Sequence, residues 1–450
     1  MPIPRWSGPW VLRQEVHDAS PGSPRRRVTL FLNRRLPPLA LGGLVLLMGL
    51  LPSRVWLVVL VTLALLLLLA YRWSLALSRG LWMERHLRST WVQVGDALEE
   101  RLALVNTTSF PALWVEVRDF STLPGYTISS ARAADAGVVT RWRSEGVCRR
   151  RGEFTLGPWE LWTGDPFGLF TVRQVYDQAL TLLVYPPITS LPPVVLPRGG
   201  TVGQAHTSRR AWEPTVNARS VRPYTPGDPM RHIHWPQTAH RGDLLVREFD
   251  QETTGDVWLL LDLHRAVQAG HDEEATAEYA IILVASLAAH LLDQGRAVGL
   301  WTYGPHRRVV RPARGRGHLW AILAALAPLD LSPVPLAALL DEVGRGRPSG
   351  MTALIVTPDV GGDWLLPLAR LRRRGMGAAA WLLDPASFGG DGEAEPLRGL
   401  LADQGIVSQV IRRGDLAEPR PVLGPRRRWA FKVLGTGRVI TLRRPAMVGE

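Results

Sequence analysis

Residues Arg219 to Glu252 read RSVRPYTPGDPMRHIHWPQTAHRGDLLVREFDQE, the densest polar, charged and aromatic stretch in the chain. Pro226 restricts its φ angle, Gly227 accepts conformations that other residues avoid, and Asp228 can hydrogen-bond its own backbone, so this segment predicts a turn. The residues from Leu244 to Phe249 alternate loosely, as in a strand. Several arginines close to Asp228 predict an ion-paired, hydrogen-bonded cluster.

Downstream of this stretch, short apolar runs alternate with amphipathic segments. The pattern predicts an α/β domain over residues 257–425 with a doubly wound, mainly parallel sheet. The predicted strands are residues 257–262, 297–302, 307–311, 353–357, 378–383 and 407–411, and the predicted helices are 273–292, 318–329, 336–343, 364–373 and 396–404. Residues 426–450 form a basic C-terminal extension with one strand-like run, 438–442.

Upstream of the quoted stretch, residues 75–200 contain short alternating runs separated by Gly, Pro, Asn and Asp. A strand about every ten residues predicts an antiparallel β-sandwich. The clearest runs are 91–94, 100–105, 113–117, 138–142 and 180–185. Residues 201–256 are interpreted as a linker followed by the charged stretch.

The N-terminal part of the chain predicts a membrane anchor. Two strongly apolar runs, 36–53 and 55–71, are separated by a tight turn at Pro52 and Arg54, so residues 36–73 are predicted to form a transmembrane hairpin. Arginines before the first run and after the second place both termini in the cytoplasm by the positive-inside rule. Residues 1–35 are interpreted as a mostly disordered basic tail whose arginines hold it in the cytoplasm. Contact of these arginines with anionic membrane lipid is a second interpretation. A re-entrant hairpin that does not cross the bilayer is the alternative.

The distribution of charge argues against nucleic-acid binding. The chain has a net charge of +13, but residues 1–90 alone hold twelve arginines against three acidic residues. Most of the excess charge therefore flanks the apolar runs, whereas a DNA-binding domain would carry it on its folded surface. The one cysteine, Cys148, excludes an intrachain disulfide.

The stretch 219–252 resembles the signature of the bacterial family known as domain of unknown function fifty-eight. The positions that carry the resemblance are Arg222, Tyr224, Pro226, Gly227, Asp228, Arg231, Trp235, Arg241, Arg247 and Glu252. The segments 150–158 and 165–170 are also similar to the family. Their Gly and Pro residues indicate turns, and their Phe and Leu residues indicate core positions.

The resemblance implies that the α/β domain is von Willebrand factor A-like. Such domains hold a divalent cation with an Asp-x-Ser-x-Ser motif after the first strand, since hard cations prefer oxygen ligands. In this sequence the aspartate of the motif is present as Asp262, but His264 and Ala266 replace the two serines. Asp359 is the other acidic residue that could be a ligand of the cation. The cation motif is therefore degenerate, and we expect no bound cofactor. An intact site would hold Mg²⁺. In this sequence Arg265 could pair with Asp262 and occupy the place of the cation.

No motif in the sequence indicates an established enzyme class. His232 and His234 lack the further ligands that a zinc site needs, and Cys148 has no base next to it in sequence. The resemblance implies an adaptor or assembly factor that partners a MoxR-type AAA+ ATPase, together with transglutaminase-like membrane proteins. The alternatives are a hydrolase or nuclease using Asp228, Arg231 and the two histidines, and a cell-envelope scaffold.

Overall fold

The computed structural model describes residues 10–18, 24–34, 36–194, 218–225, 230, 233–249, 256–346, 350–416, 430–433 and 439–443. The chain divides into two compact units. The first is built mainly from residues up to Pro187, and the second mainly from residues between Ile188 and Arg420. Each unit is described by itself.

The first unit begins with two strands where the sequence predicts a disordered tail. β1 (Trp10–His17) and β2 (Arg26–Leu32) pair antiparallel. The tail interpretation of residues 1–35 is wrong for these segments, because alternate residues of β2 (Val28, Leu30 and Leu32) are buried. The flanking arginines conceal this alternation in the sequence.

Two apolar helices follow, α1 (Leu36–Leu50) and α2 (Arg54–Gly80). α2 is long and apolar enough to cross a membrane by length and composition, whereas α1 is shorter. α2 continues well beyond the predicted end at residue 71, because Ala70, Ser74 and Leu77 are buried in its last three turns. Ala70 packs with residues of β2, and Tyr71 packs against the same cluster.

The remaining strands of the first unit complete three sheets around a shared buried core. Their order is β1-β2-β11-β10-β6-β7, β3-β5-β8 and β4-β12-β9, and within these sheets only the β4–β12 pairing is parallel. These strands are β3 (Leu81–Leu87), β4 (Trp91–Gln93), β5 (Ala97–Asn106), β6 (Ala112–Asp119), β7 (Ser130–Ala134), β8 (Val139–Val147), β9 (Gly152–Leu156), β10 (Trp159–Gly164), β11 (Phe170–Tyr176) and β12 (Leu180–Tyr185).

A buried ionic network links the sheets of this unit. The Arg85 Nε donates to Glu100 at 3.0 Å, and its Nη1 donates to the Asp119 Oδ1 at 3.1 Å. All three side chains are fully buried. The Tyr126 hydroxyl donates to Glu100 at 2.8 Å, and Arg85 also donates to the Ser121 hydroxyl at 3.2 Å. Each charge is therefore paired and hydrogen-bonded, as burial requires.

The second unit begins with an antiparallel pair, β13 (Ala218–Pro223) and β14 (Leu245–Phe249), which frames the short helix α3 (Trp235–Arg241). A six-stranded mixed sheet follows in the order β17-β16-β15-β18-β19-β20. The strands are β15 (Val257–Leu261), β16 (Val298–Tyr303), β17 (Arg307–Ala313), β18 (Thr352–Thr357), β19 (Gly377–Leu383) and β20 (Val407–Ile411). All pairings are parallel except that of β16 with β17, which confirms the predicted mainly parallel sheet.

Helices connect the parallel strands, as the alternating sequence pattern predicts. They are α4 (Thr276–Asp293), α5 (Arg316–Leu326), α6 (Leu336–Arg345), α7 (Leu365–Arg373) and α8 (Glu395–Asp403). α4 is as apolar as a membrane span, but most of its residues are buried, so it serves as a core helix. Near the C-terminus, β21 (Ala430–Val433) and β22 (Val439–Arg443) pair antiparallel, where the sequence predicts one strand.

Candidate functional site

The stretch that resembles the family signature folds as a β-hairpin whose connection contains α3. The Tyr224 N–H donates to the Leu244 carbonyl at 2.8 Å, and the His234 N–H donates to the Leu245 carbonyl at 2.8 Å. Ile233 and Val246 form a bridge and are both buried. Ile233, Leu245 and Val246 are therefore the buried apolar positions in the described part of the stretch, whereas Met230, Trp235 and Leu244 are exposed.

α3 is closed at both ends by local interactions. At its start, the His234 Nδ1 accepts a hydrogen bond from the Gln237 N–H at 3.2 Å. At its end, Gly242 adopts a φ of 79°, a left-handed conformation that glycine accepts without strain. The Thr238 hydroxyl accepts from the Leu245 N–H at 3.0 Å and ties the helix to β14. His234 thus has a helix-capping role.

The signature residues with described side chains do not share one environment. Tyr224 is half-buried, whereas Arg241 is exposed and Trp235 is 61% exposed. Trp235 is therefore a surface residue of the described structure. For Arg222 and Arg247 the structure describes the backbone, which lies in the paired strands β13 and β14. The other predicted positions lie outside the described residues: Pro226, Gly227, Asp228, Arg231, His232 and Glu252.

A second candidate site lies at the carboxyl ends of the central parallel strands. Asp262 directly follows β15 and is 2% exposed. Its Oδ2 accepts from the Thr357 hydroxyl at 2.6 Å, and its Oδ1 accepts from the His264 N–H at 2.9 Å. Burial, and then the nearby Asp359 charge, raise the pKa of Asp262 to about 6, although both hydrogen bonds oppose this rise.

Thr357 joins the two acidic residues of this edge. Its hydroxyl donates to Asp262 and accepts from the Asp359 N–H at 2.9 Å. The Asp359 Oδ1 accepts from the Gly361 N–H at 2.8 Å, and the Asp359 carbonyl accepts from the Trp364 Nε1 at 3.1 Å. The loop after β18 is therefore held so that Asp359, which is half-buried, lies close to Asp262.

The residues that replace the serines of the cation motif supply no oxygen side chain. Ala266 and Arg265 are exposed, and Arg265 makes no ion pair with Asp262 in the part of the chain that the structure describes. The Arg265–Asp262 ion pair that the sequence allows is therefore absent among the described residues. Within the described ranges, no cluster of three or more His, Cys, Asp or Glu side chains is suited to hold a metal ion. The oxygen ligands that a cation would find here are those of Asp262, Thr357 and Asp359.

Sequence reasoning missed two polar residues at the same edge. The buried Thr302 hydroxyl, near the end of β16, donates to the Leu261 carbonyl at 2.9 Å. Asp384 directly follows β19, and its Oδ1 accepts from the Ala394 N–H at 2.9 Å. The signal that could have found both is a polar residue at the end of an apolar strand, the criterion that identifies Asp262.

These features define an α/β protein with paired acidic residues at the carboxyl edge of its sheet, preceded by a signature hairpin. Residues 220–388 match the family model described as "Protein of unknown function DUF58". The matched range covers most of β13 and extends beyond β19, so it includes both candidate sites. This match supports, for residues 220–388, the resemblance of the signature stretch to that family.

Two relatives illustrate the sequence similarity of this chain to known proteins. The chain is 23% identical over 296 residues to the "Uncharacterized protein YeaD" of Bacillus subtilis, an alignment covering 64% of this chain and 72% of that protein. It is 28% identical over 171 residues to the "Uncharacterized protein Rv1480" of Mycobacterium tuberculosis, covering 36% of this chain and 53% of that one. This chain therefore spans about half the length of the mycobacterial relative.

Similarity to solved structures is weak. A structure of proximal thread matrix protein 1 from the mussel byssus aligns with 34% of this chain and 43% of its own, at 12% identity and a TM-score of 0.26. A β-glucosidase from Listeria innocua aligns with 23% of this chain and 16% of its own, at 12% identity and a TM-score of 0.14. Scores of this size carry no inference about fold or function.

Proposed function

We propose that this protein is a membrane-anchored adaptor that binds a protein partner at the carboxyl edge of its α/β sheet. The observation that carries the proposal is the position of Asp262, Thr357 and Asp359. They lie at the ends of the neighbouring strands β15 and β18. The chain continues from β15 to β16 on one side of this pair and from β18 to β19 on the other side. Ligands of open α/β sheets bind at this switch point.

The state of Asp262 supports a functional role for this edge. A buried carboxyl whose pKa is raised to about 6 is largely ionised at neutral pH, where its burial costs stability. Acidic residues with raised pKa values cluster at functional sites. A cationic side chain of a partner that pairs with the half-buried Asp359 would also lie close to Asp262 and offset part of this cost.

The strand order supports a von Willebrand A-like assignment. With β15 counted as the first strand of the domain, the sheet has the order 3-2-1-4-5-6, and its third strand is the antiparallel one. We infer from this order, and from the signature, that the domain binds other proteins as von Willebrand A domains do. A MoxR-type AAA+ ATPase is the partner class that the family resemblance favours.

The first unit supports membrane anchoring with an even number of crossings. Apolar side chains of α1 and of the first half of α2 are exposed, among them Leu39, Leu46 and Leu65. β2 precedes the helices and β11 follows them, yet they pair in one sheet, with Leu32 opposite Phe170. Both strands must lie on the same side of a membrane, so a hairpin fits and a single-pass anchor does not. Cytoplasmic termini follow from the positive-inside rule.

Affinity capture tests the adaptor proposal. Tagged full-length protein in mild detergent is compared with an Asp262→Ala, Asp359→Ala double variant in the native host. Recovery of a MoxR-type ATPase by the parent, and its loss from the variant, is the expected result, because the variant removes both acidic side chains of the edge.

The matched control for this capture is an Asp341→Ala, Asp403→Ala double variant. It removes the same charge from exposed positions on α6 and α8, and we expect it to retain the ATPase. Equal recovery by all three proteins would place the interface elsewhere, and recovery of cell-wall enzymes alone would favour the scaffold alternative.

A further inference from the structure

One end of the six-stranded sheet of the first unit carries exposed apolar side chains that the adaptor proposal does not use. We call this end, formed by Leu113, Trp114 and Phe167, the apolar rim. We propose that the apolar rim inserts into the interfacial region of the lipid bilayer. The inference rests on the proposed membrane anchoring and extends it from the helical hairpin to the folded unit. The partner of the apolar rim is therefore the lipid bilayer itself.

The three rim residues are exposed and are brought together by strand pairing. Leu113 is 54% exposed, Trp114 39% and Phe167 49%. β6 begins beside the end of β10, since Val115 pairs with Thr163 and the Thr163 hydroxyl donates to the Trp114 carbonyl at 2.8 Å. Phe167 lies in the turn that joins β10 to β11, at this same end of the sheet.

The turn holds Phe167 outward through fixed contacts. The buried Asp165 carboxylate accepts from the Phe167 N–H at 2.8 Å and from the Phe170 N–H at 2.5 Å. Gly168 completes the turn with a φ of 68°. Phe170 points into the core, so the two phenylalanines of this segment differ: one fills the core, as the sequence predicts, and the other faces outward.

The rim adjoins both points where the apolar hairpin meets the folded unit. Asn33, just before α1, donates from its backbone N–H to the Leu169 carbonyl at 2.8 Å and from its side chain to the Gly168 carbonyl at 3.0 Å. On the returning helix, the Tyr71 ring lies 5.8 Å from the Phe170 ring. Both helices of the hairpin therefore join the folded unit next to the turn that carries Phe167.

The length of the hairpin determines the depth of the rim. At 1.5 Å per residue, α1 and residues 54–69 of α2, which precede its first buried residue Ala70, are each only about 22–24 Å long. The hydrocarbon core of a bilayer is about 30 Å thick. A short span draws its flanking residues toward the hydrocarbon boundary. Trp favours that boundary, and the exposed Arg34 and Arg72 can reach lipid headgroups from the same level.

Quenching by lipid tests the proposal. Full-length protein in nanodiscs is labelled with an environment-sensitive dye at one introduced cysteine: Phe167→Cys, Leu113→Cys, Phe120→Cys or Leu57→Cys. Native Cys148 stays unlabelled, because it is fully buried and burial raises its pKa to about 11. Spin-labelled phosphatidylcholine then serves as the quencher.

Phe120 is the matched control. It is 52% exposed, like the rim residues, but it follows β6 at the opposite end of that strand. We expect quenching at positions 167 and 113 to be severalfold stronger than at position 120, with position 57 in the hairpin also quenched. Quenching at 57 without an excess at 167 and 113 would overturn the rim proposal and leave the anchor intact. The absence of quenching at 57 would overturn both.

Discussion

Replacing Arg85 by methionine is expected to lower the free energy of unfolding of the first unit by about 3–5 kcal/mol, because it leaves buried carboxylates without their partner. Arg85 lies on β3, pairs with Glu100 on β5 and reaches Asp119 at the end of β6. Methionine fills much of the volume of the arginine side chain. The loss of stability therefore arises mainly from the unpaired carboxylates and less from an empty cavity. The measurement is denaturant unfolding in mild detergent, with hydrogen exchange followed in β3 and β5.

The matched control is Arg88→Met. Arg88 pairs with Glu99 at 3.2 Å, but its side chain is well exposed, so its loss should cost no more than about 1 kcal/mol. Equal losses for the two variants would show that the buried network does not hold the sheets together.

Changing Asp262 to asparagine is expected to alter the pH dependence of stability by roughly 3 kcal/mol between pH 4 and pH 7. The pKa of this carboxyl is raised from 3.8 to about 6 in the folded chain. The native state therefore holds the proton more tightly, and the stability gained from it is present below pH 4 and is lost as the pH rises to about 6. Asparagine does not titrate, so the parent should lose stability relative to the variant across this range.

Hydrogen exchange in β15 and β18, compared between parent and variant at each pH, measures this difference. Asp403→Asn is the control, because that side chain is exposed and should show no comparable change. A constant difference in stability between the parent and the Asp262→Asn variant from pH 4 to pH 7 would contradict this prediction. Asp262 would then not be a buried acid with a raised pKa. Addition of Mg²⁺ is expected to leave the result unchanged, since His264 and Ala266 supply none of the oxygen ligands of the cation motif.

The α/β sheet could be predicted from the sequence almost strand by strand. Its central strands β15, β18 and β19 are continuous apolar runs because they are buried on both faces, and polar turns mark where they end. The β1–β2 pair could not be predicted, because arginines flank its alternating residues and its partner β11 is more than 130 residues away. The end of α2 was missed for a similar reason: Arg72 and Arg79 are exposed, but Ser74 and Leu77 between them are buried.

The candidate site was predicted in part. Asp262 and Asp359 could be identified because each follows an apolar run, and the structure brings them together through Thr357. The exposure of Trp235 could not be predicted, since a tryptophan between histidine and proline gives no indication of which side of a seven-residue helix it occupies. The ionic network of Arg85 also escaped notice, because its members are dispersed over three strands and connecting loops.

We propose that the first unit lies on the cytoplasmic side of a membrane that the hairpin crosses. The most direct test is side-specific labelling in intact cells with a membrane-impermeant maleimide, comparing Ser53→Cys in the hairpin turn with Phe120→Cys in the first unit. Both positions are exposed. We expect position 53 to be labelled from outside and position 120 to be labelled only after the membrane is opened. Labelling of position 120 in intact cells would contradict it.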